Sequence, residues 1–284
     1  MPVRPLTNPL IDQPGMSDPH ALVVGEVCYL FTGHDVGFGV DDWVMPDWRI
    51  FRSADLRTWT HVGTIDPADT YLGAGHTDCW AGDVVERHGR YYWFFSDRSR
   101  AIGVAVADTP EGPFVDALGG PLVDSFDPTV FVDEGGTPYL IYGMHDYWIA
   151  PLDDDLRGFA DAPRRLALDR RGVFPSSDKN SLHERDGIYY LSCSGFYATS
   201  TELFGPYVHR GLVGRGWDLD TPYAHGDFFS WRGEWYHVWC RYRDRRRDRI
   251  RDCFIAPLSY GNDGSMRDDL RVLDGVRPPG GRTG

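Results

Sequence analysis

Five stretches of the chain put an acidic residue, or a histidine with one, at the start of a short strand. They are Ser17-Asp18-Pro19-His20, Asp78-Cys79-Trp80-Ala81-Gly82-Asp83, Phe126-Asp127-Pro128, Ser176-Ser177-Asp178-Lys179-Asn180-Ser181 and Ala224-His225-Gly226-Asp227. Carboxylates distant in sequence that meet in one concave pocket have a natural use. Like charges at close range push their pKa values apart, so one stays ionised while a neighbour keeps its proton. Glycoside hydrolysis needs that division, with a base to activate water and an acid to protonate the leaving oxygen. For any single Asp the plainer reading is better, because Asp-Pro and Asp-Gly start turns. Recurrence at matched positions is what points to function.

The elements that must position these residues repeat. The aromatic phrases are Val27-Cys28-Tyr29-Leu30-Phe31, Tyr91-Tyr92-Trp93-Phe94-Phe95, Tyr139-Leu140-Ile141-Tyr142, Tyr189-Tyr190-Leu191-Ser192 and Trp235-Tyr236-His237-Val238-Trp239. Each follows a glycine closely: Gly25, Gly89, Gly136, Gly187 and Gly233, at successive separations of 64, 47, 51 and 46 residues. A second hairpin follows each phrase, as in Trp48 to Ser53 running through Ala54-Asp55-Leu56-Arg57 to Trp59. A period of roughly 40–50 residues is that of a four-stranded propeller blade. Five copies predict an all-β, five-bladed β-propeller that occupies residues 1–284 as one domain. The alternative, a double-sheet sandwich, does not explain the regular period. In a propeller the first strand of each blade lines the central channel, so the acidic starts converge there.

Composition narrows the function classes. Apolar residues make up 42% and charged residues 25% of the 284, a globular composition. Aromatic residues reach 14%, which suits strands and also flat platforms for sugar rings. A formal charge of −13 opposes binding to nucleic-acid phosphates and to anionic membranes. No apolar run approaches the ~18 residues of a membrane span. Met1 to Leu6 lacks the apolar core of a signal peptide, so a cytoplasmic location is expected. The five cysteines show no metal spacing. Cys240 and Cys253 flank an Arg/Asp hairpin and are expected to face each other across two strands, as a reduced pair rather than a disulfide.

The order of motifs resembles the family 43 glycoside hydrolases. The likeness rests on Asn8-Pro9-Leu10 with Asp18-Pro19, Thr32-Gly33-His34-Asp35 and Asp47-Trp48-Arg49-Ile50-Phe51-Arg52-Ser53. Trp80-Ala81-Gly82-Asp83-Val84-Val85, Gly112-Pro113-Phe114 and Phe126 to Asp133 continue it. The resemblance implies roles by position. Asp18 matches the general base, and Asp127 the acid that orients and tunes the proton donor. The family's proton donor is a Glu; here its place is held by Asp178, one methylene shorter, with Lys179 beside it. Glu184, the fallback donor, falls in the turn before Gly187, away from the channel. His225 matches a histidine near the channel axis that in relatives helps hold a water-rich metal ion, so a calcium ion in the channel is a candidate, though no cofactor is required. Trp80 is a candidate for stacking on the sugar, and His34, Asp35, Lys179 and Arg241 for contacting it.

The expected reaction is inverting, exo-acting release of a terminal pentose, arabinofuranose or xylose, from an oligosaccharide. Two alternatives stay open: a related five-bladed glycosidase that acts on an anhydro or acidic sugar with another acid, and a non-catalytic sugar-binding propeller. The run Arg241 to Asp252 carries seven Arg, with Asp244, Asp248 and Asp252 interleaved. That interleaving suits a solvated hairpin tip or a contact within a homo-oligomer better than a nucleic-acid patch.

Overall fold

The computed structural model describes residues 6–169, 180–193, 195–213, 223–269 and 271. These form five four-stranded antiparallel meanders, each with its strands in chain order. Blade one holds β1 (Met16–Val24), β2 (Val27–His34), β3 (Trp48–Ser53) and β4 (Thr60–Ile65). Blade two holds β5 (Gly82–Arg87), β6 (Arg90–Ser96), β7 (Ile102–Ala107) and β8 (Val115–Asp116). Blade three holds β9 (Thr129–Val132), β10 (Pro138–Tyr142), β11 (Trp148–Pro151) and β12 (Arg164–Arg165). Blade four holds β13 (Asn180–Arg185), β14 (Ile188–Cys193), β15 (Phe196–Ser200) and β16 (Val208–Leu212). Blade five holds β17 (Tyr223–Trp231), β18 (Glu234–Tyr242), β19 (Arg251–Tyr260) and β20 (Met266–Asp268). The first strands close a ring: β1 touches β5 and β17, β9 touches β5 and β13, and β13 touches β17. The five-bladed propeller expected from the repeat is the fold.

The aromatic phrases are the second strands, and their near-continuous apolar character has a simple cause. Side chains alternate between the two faces of a strand, and here both faces are covered by neighbouring blades. In β2, Cys28 and Leu30 pack with Val238, Cys240 and Ile255 of blade five. The intervening Tyr29 and Phe31 pack with Trp93 and Phe95 of blade two. Three more inter-blade cores follow the same rule: Phe94 with Leu140, Ile141 with Leu191 and Tyr190 with Phe228. The repeated glycines close tight hairpins: His88-Gly89, Asp186-Gly187 and Arg232-Gly233 have positive φ at both residues. That is the mirror-image turn whose twist matches the strands.

The ring is clasped by the segment before β1. Asn8 donates from Nδ2 to the Ile255 carbonyl at 3.0 Å and accepts from the Ile255 N–H at 2.8 Å. The Leu10 N–H donates to the Cys253 carbonyl. The Asn8-Pro9-Leu10 motif therefore joins the first blade to the last. Inside the ring, carboxylates bolt the first strands together. Asp227 accepts from the Ala21 N–H at 3.1 Å and from the Ser181 hydroxyl at 3.2 Å, which spans blades one, four and five. Asp83 accepts from the Val130 N–H at 2.8 Å. His20, wholly buried, places Nδ1 2.9 Å from Asp83 and 3.7 Å from Asp227.

Two expectations for stability follow. Asp227→Ala removes the acceptor of the Ala21 N–H and the Ser181 hydroxyl; at about 1–3 kcal/mol for each group so abandoned when buried, the variant should lose up to roughly 2–6 kcal/mol in urea unfolding. His183 is stacked between Tyr190 and Phe228, where burial, helped by His237 and Arg185, pushes its pKa down to about 3. The unfolded chain takes up this proton near pH 6.5 and the folded chain does not. Stability is thus lost as pH falls from about 6.5 toward 3, by up to ~1.4 kcal/mol per pH unit from this group. His183→Phe keeps the stack, so its unfolding free energy measured from pH 7.5 to 5 should fall less steeply than that of the parent.

Candidate active site

β1 does not run straight at Asp18. Its register with β2 shifts between Ser17 and His20, a bulge, and Asp18 itself adopts φ 46°. Asp127, in the matching Asp-Pro of blade three, adopts φ 54°. Asp is one of the few side chains that tolerates this left-handed region. The bend brings the Asp18 carboxylate toward blade five. Both acids are almost fully buried, at 2% and 3% exposure.

The partner of Asp18 is Arg251, the first residue of β19. Its guanidinium, 4% exposed, donates from Nη1 to Asp18 Oδ1 at 2.6 Å. The other edge grips Asp35: Nε donates to Oδ2 at 3.0 Å and Nη2 to Oδ1 at 2.9 Å. Asp35 also accepts from the Arg251 backbone N–H at 3.0 Å and from the Ser17 hydroxyl at 3.1 Å. His225 Nδ1 lies 2.8 Å from Asp18 Oδ1. The Cys240 thiol reaches the same oxygen at 3.7 Å, and its sulfur accepts from the Asp18 N–H at 3.3 Å. Every one of these contacts to the Asp18 carboxylate falls on Oδ1; among the described residues none reaches Oδ2 to hydrogen-bond. Gly33 lies beside Oδ2, where an added Cβ would stand 3.5 Å from that oxygen and 2.3 Å from Met45 Cε.

The electrostatics follow from this arrangement. Burial alone would raise the pKa of Asp18, but Arg251 and His225 outweigh it and hold the carboxyl well below the usual range. Burial pushes Asp35 upward, with Arg251 opposing and Asp18 adding to the rise. Burial works against the Arg251 charge, yet the two carboxylates hold the guanidinium firmly protonated. Burial and the nearby Asp18 push the Cys240 thiol up, so it stays protonated.

The other expected site residues fall as follows. Asp127 lies just ahead of β9; its N–H donates to the Ser96 hydroxyl at 3.2 Å and its carbonyl accepts from Asn180 Nδ2 at 3.2 Å. The start of β13 is thereby tied to Asp127. Asp178 and Lys179, next in sequence before β13, lie outside the described residues. Glu184 caps the hairpin turn, accepting from the Gly187 N–H at 2.5 Å. His34 is held through Nδ1 by Asp47 at 3.0 Å. Trp80 meets Trp43 edge to face at 6.4 Å, and the Arg98 guanidinium lies 5.6 Å over its ring.

One of the expected contacts needs correction. Asp35 was expected to meet the sugar; at 1% exposure, with both oxygens bound by Arg251, it is an internal ion-pair partner. Arg241 has its guanidinium 5.4 Å over the Phe254 ring, on the strand face opposite Cys240. The arginine beside Asp18 is Arg251, which the sequence reading absorbed into the hairpin run. The rest of that hairpin leans on the loop after β2: Arg249 pairs with Asp41 at 2.6 Å and Asp248 accepts from the Gly39 N–H at 3.1 Å. Cys240 and Cys253 are direct cross-strand partners and remain free thiols, as expected.

Comparison with known proteins fits this architecture. The family description "Glycosyl hydrolases family 43" matches residues 6–266. The chain belongs to glycosyl hydrolases family 43. A β-xylosidase from Xylanibacter ruminicola is 28% identical over 323 residues, covering 89% of this chain and 96% of that one. Arabinoxylan arabinofuranohydrolases from Paenibacillus polymyxa and Bacillus subtilis are each 27% identical over 82% of this chain. The chain spans about half the length of those two, 46% and 57%. Among solved structures, a family 43 enzyme from Xanthomonas citri complexed with xylotriose shares the fold at TM-score 0.78, with 24% identity over 92% of both chains.

Removing Arg251 would leave two buried carboxylates facing each other. Breaking a buried ion pair from one side costs about 3–5 kcal/mol. Arg251→Met should therefore unfold at clearly lower urea, and its loss should be partly recovered in the Arg251→Met/Asp35→Leu double variant, which removes one of the two stranded carboxylates. Equal stability of Arg251→Met and the parent would refute the buried bridge.

Proposed function

We propose that this family 43 chain is an exo-acting, inverting glycosidase that releases a terminal pentose, arabinofuranose or xylose, from an oligosaccharide. The names of its relatives support the substrate class. The observation that carries the mechanism is the one-sided environment of Asp18. Arg251 and His225 hold Oδ1 and keep the carboxylate ionised, while Oδ2 is left to accept a proton from water. A base used this way is fixed in orientation and ionised before the reaction, the form that can take a proton from water. Asp178 is the proposed proton donor to the leaving oxygen, and Asp127, tied to the start of β13 through Asn180, orients it. Trp80 and His34 are proposed to bound the sugar site. An inverting pair needs its carboxyl groups roughly 6.5–9.5 Å apart.

The reading needs no cofactor. One related solved structure, a β-xylosidase/α-arabinofuranosidase from a compost metagenome, is described in its calcium-free form. Among the described residues no group of three or more His, Cys, Asp or Glu converges on a metal position. His225 directs Nδ1 at Asp18. A calcium ion in this channel would be held mainly by water.

A second reading keeps the fold and changes the donor. Asp178 stands where the family has Glu, with Lys179 beside it; a cation there favours an ionised Asp178 and an anionic sugar.

Asp18→Asn should lower kcat on aryl arabinofuranoside or xyloside by about 10²–10⁴-fold, the usual contribution of a general base, in a protein that still folds but melts lower than the parent because the buried pair with Arg251 is weakened. Proton NMR of the first product should show the anomer opposite to that of the substrate. A retained anomer, or an active Asp18→Asn variant, would overturn the proposal. Turnover only on acidic or anhydro sugars would select the second reading.

A further inference from the structure

Arg251 meets two carboxylates but treats them differently. Its two-pronged Nε/Nη2 edge, the geometry that matches a carboxylate, is taken by Asp35 at 3.0 and 2.9 Å. Only the remaining Nη1 reaches Asp18, on one oxygen, at 2.6 Å. Both acids belong to blade one, on β1 and just past β2, so the arginine faces two competing acceptors at one blade seam. A guanidinium offered a single buried carboxylate would seat its fork there and cover both oxygens.

We propose that Asp35 is a positioning residue for catalysis: by holding the fork of Arg251 it keeps the arginine single-pronged on Asp18, so that Oδ2 stays open for the water. This rests on Asp18 being the base. Several further features hold Asp35 to that task. Its N–H donates to the Gly15 carbonyl at 2.7 Å, and the Ser17 hydroxyl fixes Oδ1. Gly15, at φ 91°, approaches so closely that a Cβ there would stand 2.2 Å from the Asp35 carbonyl oxygen. Among the described residues, the one other group on the fork is the weak acceptor Met45 Sδ, 3.5 Å from Nη2; the remaining polar and charged groups around Arg251 are engaged elsewhere. His225 approaches Asp18, and Cys240 donates its thiol to Asp18 Oδ1. Cys253 donates to the Met16 carbonyl at 3.2 Å. Asp252 pairs with Arg243 at 3.3 Å and accepts from the Gly15 N–H. The Tyr242 ring lies 6.0 Å from the guanidinium carbon.

The test compares Asp35→Asn, Asp35→Glu and the double variant Asp35→Asn/Arg251→Lys with the parent, by steady-state kinetics, melting and crystallography. Asp35→Asn is isosteric but cannot accept the fork through both atoms. It should lose kcat by about 100-fold or more with KM changed less than about threefold, and its crystal structure should show Arg251 two-pronged on Asp18. Lysine has no fork, so the double variant should recover at least about tenfold in kcat over Asp35→Asn. A purely structural Asp35 predicts the opposite, a double variant no better than the single one. Asp35→Glu keeps charge and fork and should stay within about tenfold of the parent; a loss beyond 100-fold there overturns the proposal even if Asp35→Asn does not fold. Asp18→Asn separates the two ideas. If it is active, the base assignment fails; if it is inactive while Asp35→Asn keeps its kcat, the role of Asp35 alone fails.

Discussion

One buried cation holds the working end of this propeller together. Arg251 comes from the fifth blade, and the two carboxylates it joins come from the first. Taking three charges out of water is costly, and such clusters survive only when their hydrogen-bonding capacity is nearly saturated. That condition is met on all but one side. Asp35 receives the guanidinium fork, a backbone N–H and a hydroxyl, while Asp18 receives its donors on a single oxygen. No described residue donates to Asp18 Oδ2, so the bridge leaves one side of that carboxylate unused.

The same seam closes the ring. The Arg251 carbonyl accepts from the Gly15 N–H at 3.0 Å, and neighbouring residues of β19 take Asn8 and Leu10. Closure and placement of Asp18 are therefore one structure: a chain that fails to clasp its first segment onto β19 also misplaces that carboxylate. The remaining blades supply stiffness. Their second strands are apolar on both faces, and each inter-blade core interlocks two sheets, as when Phe31 stacks on Trp93 at 5.4 Å. Around the axis, Asp83 and Asp227 fix the first strands to one another through backbone donors. Against such a frame a left-handed aspartate can be held without relaxing.

The fold was legible because its causes are local and repeated. A glycine turn followed by an aromatic strand recurs wherever a blade must bury both faces of its second strand, and five recurrences leave few architectures. The Asp-Pro pairs were legible for a similar reason: Asp18 and Asp127 share their place in the blade and their left-handed backbone. Asp35 was noticed but misjudged. An acid at the exit of a channel strand reads as a ligand contact, and nothing in the local sequence says that an arginine from the far end of the chain will cover it.

Arg251 was missed because charge runs are usually solvated, and most of this one is: Arg245, Arg246 and Arg247 are exposed. The distinguishing signal was phase rather than composition. Along β19, Arg251 falls on the same face as Cys253 and Ile255, both buried in the seam between blades five and one. An arginine in step with two apolar core positions enters the core, and a buried guanidinium requires carboxylates within reach. Applied to the run, this alternation singles out Arg251 over Arg241, whose strand neighbour Cys240 faces the seam while Arg241 turns to the Phe254 side. The two acids it must meet then follow from the blades that border the seam, and in blade one the acids at that end of β1 and β2 are Asp18 and Asp35.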